Sequence, residues 1–312
     1  MAKTRAKVTI VGAGNVGHSA AQWMLSHRLA DIVLVDVIEG MPQGKALDLT
    51  QAEPIEGIDL RITGTNGYDE TAGSDVVVVV AGIARKPGMS REELLATNAG
   101  IVRGVAEQVT RRSPNAHLIV VTNPLDAMVY LAYKVSGFPP ERVMGQSGAL
   151  DSTRFRTFIA HALGVSVQDV AAIVIGAHSD THMVPVASLA TVGGIPLSRL
   201  LPADRIAALA ERTRRGGAEI VGLLKTGSAF FAPGAAIAQM VEAILLDRKR
   251  VLPLSAYLTG QYGVRDLYVG VPAVLGAEGV ERILDAPMDP SERAAFDAAV
   301  ASIRETVALL KL

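Results

Sequence analysis

Residues 76–80 are five consecutive valines, preceded by Asp75 and followed by Ala81 and Gly82. β-Branched side chains favour extended backbone, and successive residues of a strand face opposite sides. A run that is apolar at every position must therefore be buried on both faces, as a strand is inside a parallel sheet covered by helices. That requirement calls for a layer of helix on either side of this part of the chain. In open sheets of this kind, ligands bind at the carboxyl ends of the strands. The valine run ends in such a place, and the segment beyond it carries Arg85, Lys86-Pro87-Gly88 and Arg91. Two arginines on one loop at a strand end suggest an anionic ligand with as many as two negative groups. Taken alone, the loop is equally consistent with a solvated basic turn.

The flanking sequence supplies the helices. Lys7–Val11, Asp31–Asp36, Ser74–Ala81 and His117–Thr122 read as strands, and Val16–His27, Met41–Gln51, Ser90–Arg112 and Leu125–Ser136 as the helices between them. Strands alternating with helices argue for a doubly wound parallel sheet. After about Gly145 the pattern changes. Ala149–Leu163 reads as a helix, Val170–Ile175 and Met183–Ala187 as strands, and Arg205–Leu224 and Gly234–Leu246 as helices. Val251–Tyr257 and Asp266–Val271 read as antiparallel strands about a turn at Gln261-Tyr262-Gly263, and Ser291–Leu310 as a closing helix. The expected fold is α/β: an N-terminal doubly wound parallel sheet over residues 1–145, then a C-terminal α+β unit over 146–312. No low-complexity linker separates the two, so their boundary is expected to be a packed junction.

Composition removes several function classes. The chain has 312 residues, 49% of them hydrophobic, enough for a large core, and a net charge of −1 favours neither nucleic acid nor a membrane surface. There is no cysteine, which excludes disulfides, thiolate zinc sites and a cysteine nucleophile; no metal is expected. The N-terminal sequence runs straight into the first strand with no leader pattern, and the longest apolar runs fall short of a membrane span. A soluble cytoplasmic protein is expected.

The first strand runs into Gly12-Ala13-Gly14-Asn15-Val16-Gly17, a G-x-G-x-x-G motif between a strand and a helix. In that context it has a mechanism. Gly12 permits the tight turn, Gly14 lets the backbone approach a pyrophosphate, and Gly17 lets helix and strand pack closely. The helix N-terminus then offers free N–H groups to phosphate oxygens. Asp36 ends the second strand 19 residues after Gly17, where a carboxylate binds both ribose hydroxyls of an adenosine and repels a 2′-phosphate. NAD is therefore favoured over its 2′-phosphorylated form. Val121-Thr122-Asn123 and Gly82 lie at strand ends facing the same crevice, and Asn98 on the long helix is placed to reach down to it.

A histidine, His178, follows the strand ending at Ile175-Gly176. Upstream, Asp151 and Arg154 stand at i and i+3 of one helix and so point the same way. Beside a nicotinamide these groups suit removal of hydride from a secondary alcohol carbon while a base takes the hydroxyl proton. Histidine titrates nearest neutrality and runs that step in both directions. A carboxylate on its other nitrogen would fix the tautomer and favour imidazolium. Each residue alone also has a structural reading: His182 is a nearby second histidine, and Arg154 could pair with a helix neighbour.

The combination VGAGNVG, VLVD, ARKPGMSR, VTNPLD, LDSTRFR, GAHSD and KTGSAFFAPG resembles the lactate/malate dehydrogenase family over essentially the whole chain, and within it the lactate-dehydrogenase-like malate dehydrogenases. The resemblance implies an N-terminal Rossmann domain, NAD as cofactor, a dicarboxylate substrate, and a homodimer or homotetramer. It implies His178 as the proton acceptor, oriented by Asp151. It implies Arg154 as the bidentate partner of the substrate's C1 carboxylate, Arg91 as the loop arginine that polarises the reacting carbonyl on closure, and Asn123 as a contact to both substrate and cofactor. Gly12, Ala13, Gly14, Asn15, Val16, Gly17, Asp36, Asn98, Val121, Thr122 and Asn123 match the family's NAD contacts. Arg85 matches the family's substrate-discriminating position, where arginine resembles malate enzymes and a neutral side chain resembles lactate enzymes. The loop bearing Arg85 and Arg91 is expected to close on a dianion, with Gly82 and Gly88 absorbing the backbone change. The family commonly has G-x-H-G-D, whereas Ser179 follows the histidine here; its side chain would crowd the pocket or the histidine backbone. The expected activity is reversible oxidation of (S)-malate to oxaloacetate. Turnover of pyruvate or another 2-oxo acid, and a silent NAD-binding protein, are the alternatives.

Overall fold

The computed structural model describes residues 5–84 and 88–312. In the first half, strands β1 (Lys7–Val11), β2 (Asp31–Val35), β3 (Ile62–Thr65), β4 (Val76–Val79), β5 (His117–Val120) and β6 (Val143–Gly145) alternate with helices. These helices are α1 (Asn15–Ser26), α2 (Met41–Glu56), α3 (Arg91–Arg112) and α4 (Leu125–Ser136). The second half contains α5 (Gly148–Leu163), β7 (Val170–Ala171), β8 (Val174–Gly176), β9 (Met183–Pro185), β10 (Thr191–Val192) and β11 (Ile195–Pro196). It continues with α6 (Ala203–Leu224), α7 (Phe231–Leu245), β12 (Arg250–Thr259), β13 (Arg265–Gly276), β14 (Gly279–Ile283) and α8 (Pro290–Ala308). No helix among the described residues is long and apolar enough to cross a membrane.

The six strands of the first half are parallel and ordered β3-β2-β1-β4-β5-β6, which is the doubly wound arrangement with its crossover point between β1 and β4. The valine run sits at that centre. Val76 and Val78 face one core with α1 and α7, and Val77 and Val79 face the other with α3 and α4. All four are at most 1% exposed, so both faces are covered as an uninterrupted apolar strand requires. The sheet does not stop at the junction. Gly145 of β6 pairs antiparallel with Ser255 of β12, and β13, β8 and β9 follow, with β14 on β13, to make eleven strands. A small separate sheet joins β7, β10 and β11.

Three strands of the large sheet, β3, β6 and β14, are absent from the sequence reading. They have four, three and five residues, and each contains a glycine, which breaks the apolar alternation that marks a strand. The expected strand Val170–Ile175 is broken: β7 belongs to the small sheet and β8 to the large one. The chain changes sheets between them, where Val174 N donates to the Ser152 hydroxyl of α5 at 2.9 Å. Helix α2 runs past Gln51 to Glu56, through Pro54, and is stopped by Gly57 in the left-handed region (φ 63°), whose N–H donates to Glu53 O.

Candidate active site

The carboxyl ends of β1, β4 and β5 converge, and the glycines there are fixed by sterics. Gly12 has φ 105°, and a Cβ on it would lie 2.6 Å from Ala81 N beyond β4. A Cβ on Gly17 would lie 2.0 Å from Gly12 O, so α1 can approach β1 only without one. Replacing Gly17 by Ala is expected to lower unfolding free energy by about 1–3 kcal/mol, read from the urea midpoint. An unchanged midpoint would mean that α1 packs less tightly on β1 than this. Gly14 differs: a Cβ there would meet nothing within 4 Å, so its backbone faces open space. It also caps α1 without any side-chain hydrogen bond, and the first turn has no acidic residue. Helix N–H groups left this way suit phosphate oxygens.

Asp36 closes this loop. Its Oδ2 accepts from Ala13 N at 2.8 Å and its Oδ1 from Ile38 N at 3.0 Å, which fixes the carboxylate beside the glycine turn. Val37 and Ile38 follow it, 95% and 58% exposed. Lys45 of α2 donates to Ala13 O at 2.7 Å and lies 3.2 Å from His18 Nδ1, a brace on the glycine loop that the sequence did not signal. Burial lowers the Lys45 pKa, with Asp36 opposing the shift. The glycine turn, the uncapped helix and the placed carboxylate fit a dinucleotide.

Asn98 is wholly buried, and its amide is engaged by main chain: Oδ1 accepts from Ile83 N (2.9 Å), and Nδ2 donates to Ile83 O (3.1 Å) and Asn123 O (2.7 Å). It ties together the segments after β4 and β5. Thr122 Oγ1 donates to Ala81 O at 2.7 Å, adding a second tie. Asn123 is exposed just beyond, and Val121 is half-buried. Asn15 is exposed at the start of α1, where Val16 packs on the core.

His178 lies past β8 in the turn joining it to β9. Its Nδ1 is 2.7 Å from Asp151 Oδ2, and Asp151 Oδ1 accepts from Arg154 Nη1 at 2.9 Å. Asp151 therefore bridges the two, and its side chain is only 2% exposed. Burial works against a charged imidazole at His178, but the charge and hydrogen bond of Asp151 outweigh it, and the pKa is raised above the ordinary histidine value. The Nδ1 contact leaves Nε2 as the nitrogen for proton exchange. The main-chain N–H of His178 donates to Asp126 Oδ2 at 3.1 Å, and Asp126 Oδ1 accepts from the Ser255 hydroxyl at 2.7 Å. Since Asp126 lies three residues after Asn123, this bond ties the histidine turn to the carboxyl end of β5.

Gly216 and Gly217 of α6 lie against Arg154: a Cβ on Gly216 would be 2.9 Å from Arg154 Cδ, and one on Gly217 3.7 Å from Nη2. They leave room for the guanidinium, and their lack of side chains is the signal a sequence offers for it. The Ser179 hydroxyl accepts from His182 N at 3.2 Å, within its own turn. His182 Nδ1 is 2.8 Å from Thr181 Oγ1. Arg91 opens α3 behind a capping box formed by Ser90 and Glu93, and it is exposed. Among the described residues no ion pair joins it to the His178–Asp151–Arg154 cluster. Arg85 lies outside the described residues, as does the middle of the loop expected to close.

Residues 6–145 match the family model for the lactate/malate dehydrogenase NAD binding domain, and residues 148–311 that for the lactate/malate dehydrogenase alpha/beta C-terminal domain. The chain is 58% identical over 300 residues to the malate dehydrogenase of Desulforudis audaxviator, covering 96% of this chain and 97% of that one. The malate dehydrogenase of Picrophilus torridus superposes with a TM-score of 0.95 at 48% identity, over 98% of this chain and 97% of the other. The Cryptosporidium parvum lactate dehydrogenase, solved with lactic acid and nicotinamide adenine dinucleotide, also superposes at 0.95, with 43% identity over 98% of both chains. Backbone shape is thus equally close to a protein of either name.

Proposed function

The chain belongs to the lactate/malate dehydrogenase family, and from that premise we propose that it interconverts (S)-malate and oxaloacetate with NAD. The observation that carries this reading is the chain of contacts His178–Asp151–Arg154, tied through Asp126 to the strand end beside the glycine turn. NAD, when bound, supplies the acceptor for the hydride that leaves the substrate's C2. Gly12 to Gly17 hold its pyrophosphate, Asp36 its adenosine ribose, and Val121 to Asn123 the crevice floor, with Asn98 acting through the main chain it ties. In the oxidative direction His178 takes the C2 hydroxyl proton on Nε2 as the C–H bond breaks, and Asp151 stabilises the imidazolium. In reduction the same proton returns to the carbonyl oxygen. Arg154 turns its free guanidinium edge to the C1 carboxylate, a planar pairing that lysine cannot supply. Asn123 and Arg91 contact the reacting oxygen, and Arg85 takes the second carboxylate.

The test is NADH oxidation with oxaloacetate and with pyruvate at equal concentration. Oxaloacetate is expected to turn over far faster. Equal rates would move the reading to a lactate-type enzyme, and no turnover with any 2-oxo acid despite NADH binding would leave a silent dinucleotide-binding protein.

In the same reading residues 1–145 form the NAD-binding domain and 146–312 the substrate domain, and the protein works in the cytoplasm, where the cysteine-free composition costs nothing. A homodimer or homotetramer is supported by exposed apolar side chains on four helices: Trp23, Leu47, Ile55, Leu223 and Phe231, between 38% and 85% exposed. Sedimentation equilibrium should give a particle of two or four chains; a monomer at micromolar concentration would refute it.

A further inference from the structure

Asp151 is not the only carboxylate that holds His178. Asp126, in the first turn of α4, is 6% exposed and accepts two hydrogen bonds: the His178 main-chain N–H on Oδ2 and the Ser255 hydroxyl of β12 on Oδ1. Both donors are neutral, and no ion pair involving Asp126 is found among the described residues. Asp151, by contrast, shares its charge with Arg154 at 2.9 Å, so that guanidinium cancels part of the field Asp151 exerts on the imidazole. The charged groups facing His178 are therefore Asp151 and Arg154 from α5 and Asp126 from α4. With Asp126 ionised, one positive and two negative charges leave one negative charge in excess, and Asp126 is the one without a cationic partner among the described residues.

We propose that Asp126 is a positioning residue for proton transfer, fixing the main chain of His178 from α4 and supplying the unpaired negative charge that favours the imidazolium. The proposal rests on the reading of His178 as the proton-transfer group. Its geometry makes one demand: Asp126 must be ionised although buried. Burial raises its carboxyl above the usual range, while the Ser255 hydroxyl and the His178 amide oppose that shift. A buried carboxylate that accepts hydrogen bonds on both oxygens is the form these donors favour. Ser255, wholly buried on β12, thereby acts on the histidine through Asp126. The arrangement joins α4, the β8–β9 turn and β12, so that His178 is held at its ring by Asp151 and at its main chain by Asp126.

The experiment compares Asp126→Asn with the unaltered enzyme. Asparagine keeps the shape and an acceptor for His178 N but removes the charge. Reduction of oxaloacetate needs the imidazolium, so kcat/KM falls as pH rises through the His178 pKa. In D126N that limb should move to lower pH by about half a unit to one unit, with roughly a three- to tenfold loss on the alkaline side that fades toward acid. Oxidation of malate, which needs neutral imidazole, should extend to lower pH by the same displacement. Ser255→Ala should give a smaller displacement in the same direction, and it carries the test if D126N does not fold. A loss that is equal at every pH, or an unmoved limb, overturns the proposal. Titration of the His178 ring followed by nitrogen-15 NMR in the cofactor-free protein reads the same shift without turnover. Absence of turnover in the unaltered enzyme would refute the functional reading, whereas an unshifted ring in D126N would refute the role of Asp126 alone.

Discussion

Replacing His178 by Gln is expected to lower kcat for malate oxidation by about 10³- to 10⁴-fold while leaving NADH binding within a few-fold of the original, the larger part of the range a general base contributes. Glutamine retains an amide that can face Asp151 but has no group that takes a proton near neutrality. The dinucleotide contacts proposed for Gly12 to Gly17 and Asp36 lie just beyond β1 and β2, in the glycine turn and the start of α1, away from the β8–β9 turn, so binding of NADH should survive. The fold should survive as well, because the His178 side chain lies at a turn and retains 16% exposure. Stopped-flow or steady-state absorbance of NADH gives the rate, and fluorescence titration of NADH gives the affinity. A kcat reduced less than tenfold would remove His178 from the reaction. The pH dependence has a definite sign. Because the folded pKa of His178 is raised, oxaloacetate reduction should persist above the ordinary histidine pKa and decline as pH passes through the raised value, with malate oxidation rising over the same interval.

Arg85→Gln should cut the preference for oxaloacetate over pyruvate by roughly 10³-fold in the ratio of their kcat/KM values, the scale of sites that recognise a polar group and leave it unpaired otherwise. Oxaloacetate carries a carboxylate where pyruvate has a methyl group. A guanidinium facing that position is paired by the first and left desolvated and alone by the second. Backbone shape does not distinguish the two activities here, so the choice has to reside in side chains, and Arg85 is the cation the sequence puts closest to the substrate end of the valine strand. Most of the change should come from a fall in the oxaloacetate constant, with pyruvate unchanged or improved. A preserved ratio would assign the discrimination to another residue, with Arg91 next in line. Gln is the informative replacement because it keeps length and hydrogen bonding while removing charge.

Much of this site can be read along the chain because its signals are local. The valine run declares two-sided burial, G-x-G-x-x-G declares its own turn, and Asp151 with Arg154 share one helix face. His178 reaching Asp151 was readable only as a family expectation, and the structure brings the two to 2.7 Å. What was not legible depends on long separations. Asp126 meets His178 across 52 residues and Ser255 across 129, and an acidic residue in the first turn of a helix reads as an ordinary complement to the helix dipole. Gly216 inside α6 reads as a weak helix position until Arg154 is found against it. Asn98 reads as a cofactor contact because its type and place suit one. In the fold its amide is committed to main chain on both sides. The strands β3, β6 and β14 escape the sequence for a different reason: each contains a glycine, and none carries the uninterrupted apolar run that marks β4.

The pairing of Gly145 with Ser255 has an evolutionary side. The junction near residue 145 is crossed by the sheet in space, and the residue on the far side of that crossing, Ser255, also bonds Asp126. Recombination at residue 145 would therefore not exchange self-contained modules. A hybrid built from two relatives would inherit β6 and α4 from one parent and β12 from the other, and would need their contacts to match at the seam. The two halves are thus expected to have diverged together at the few positions that touch across it, even where the rest of each half drifted freely.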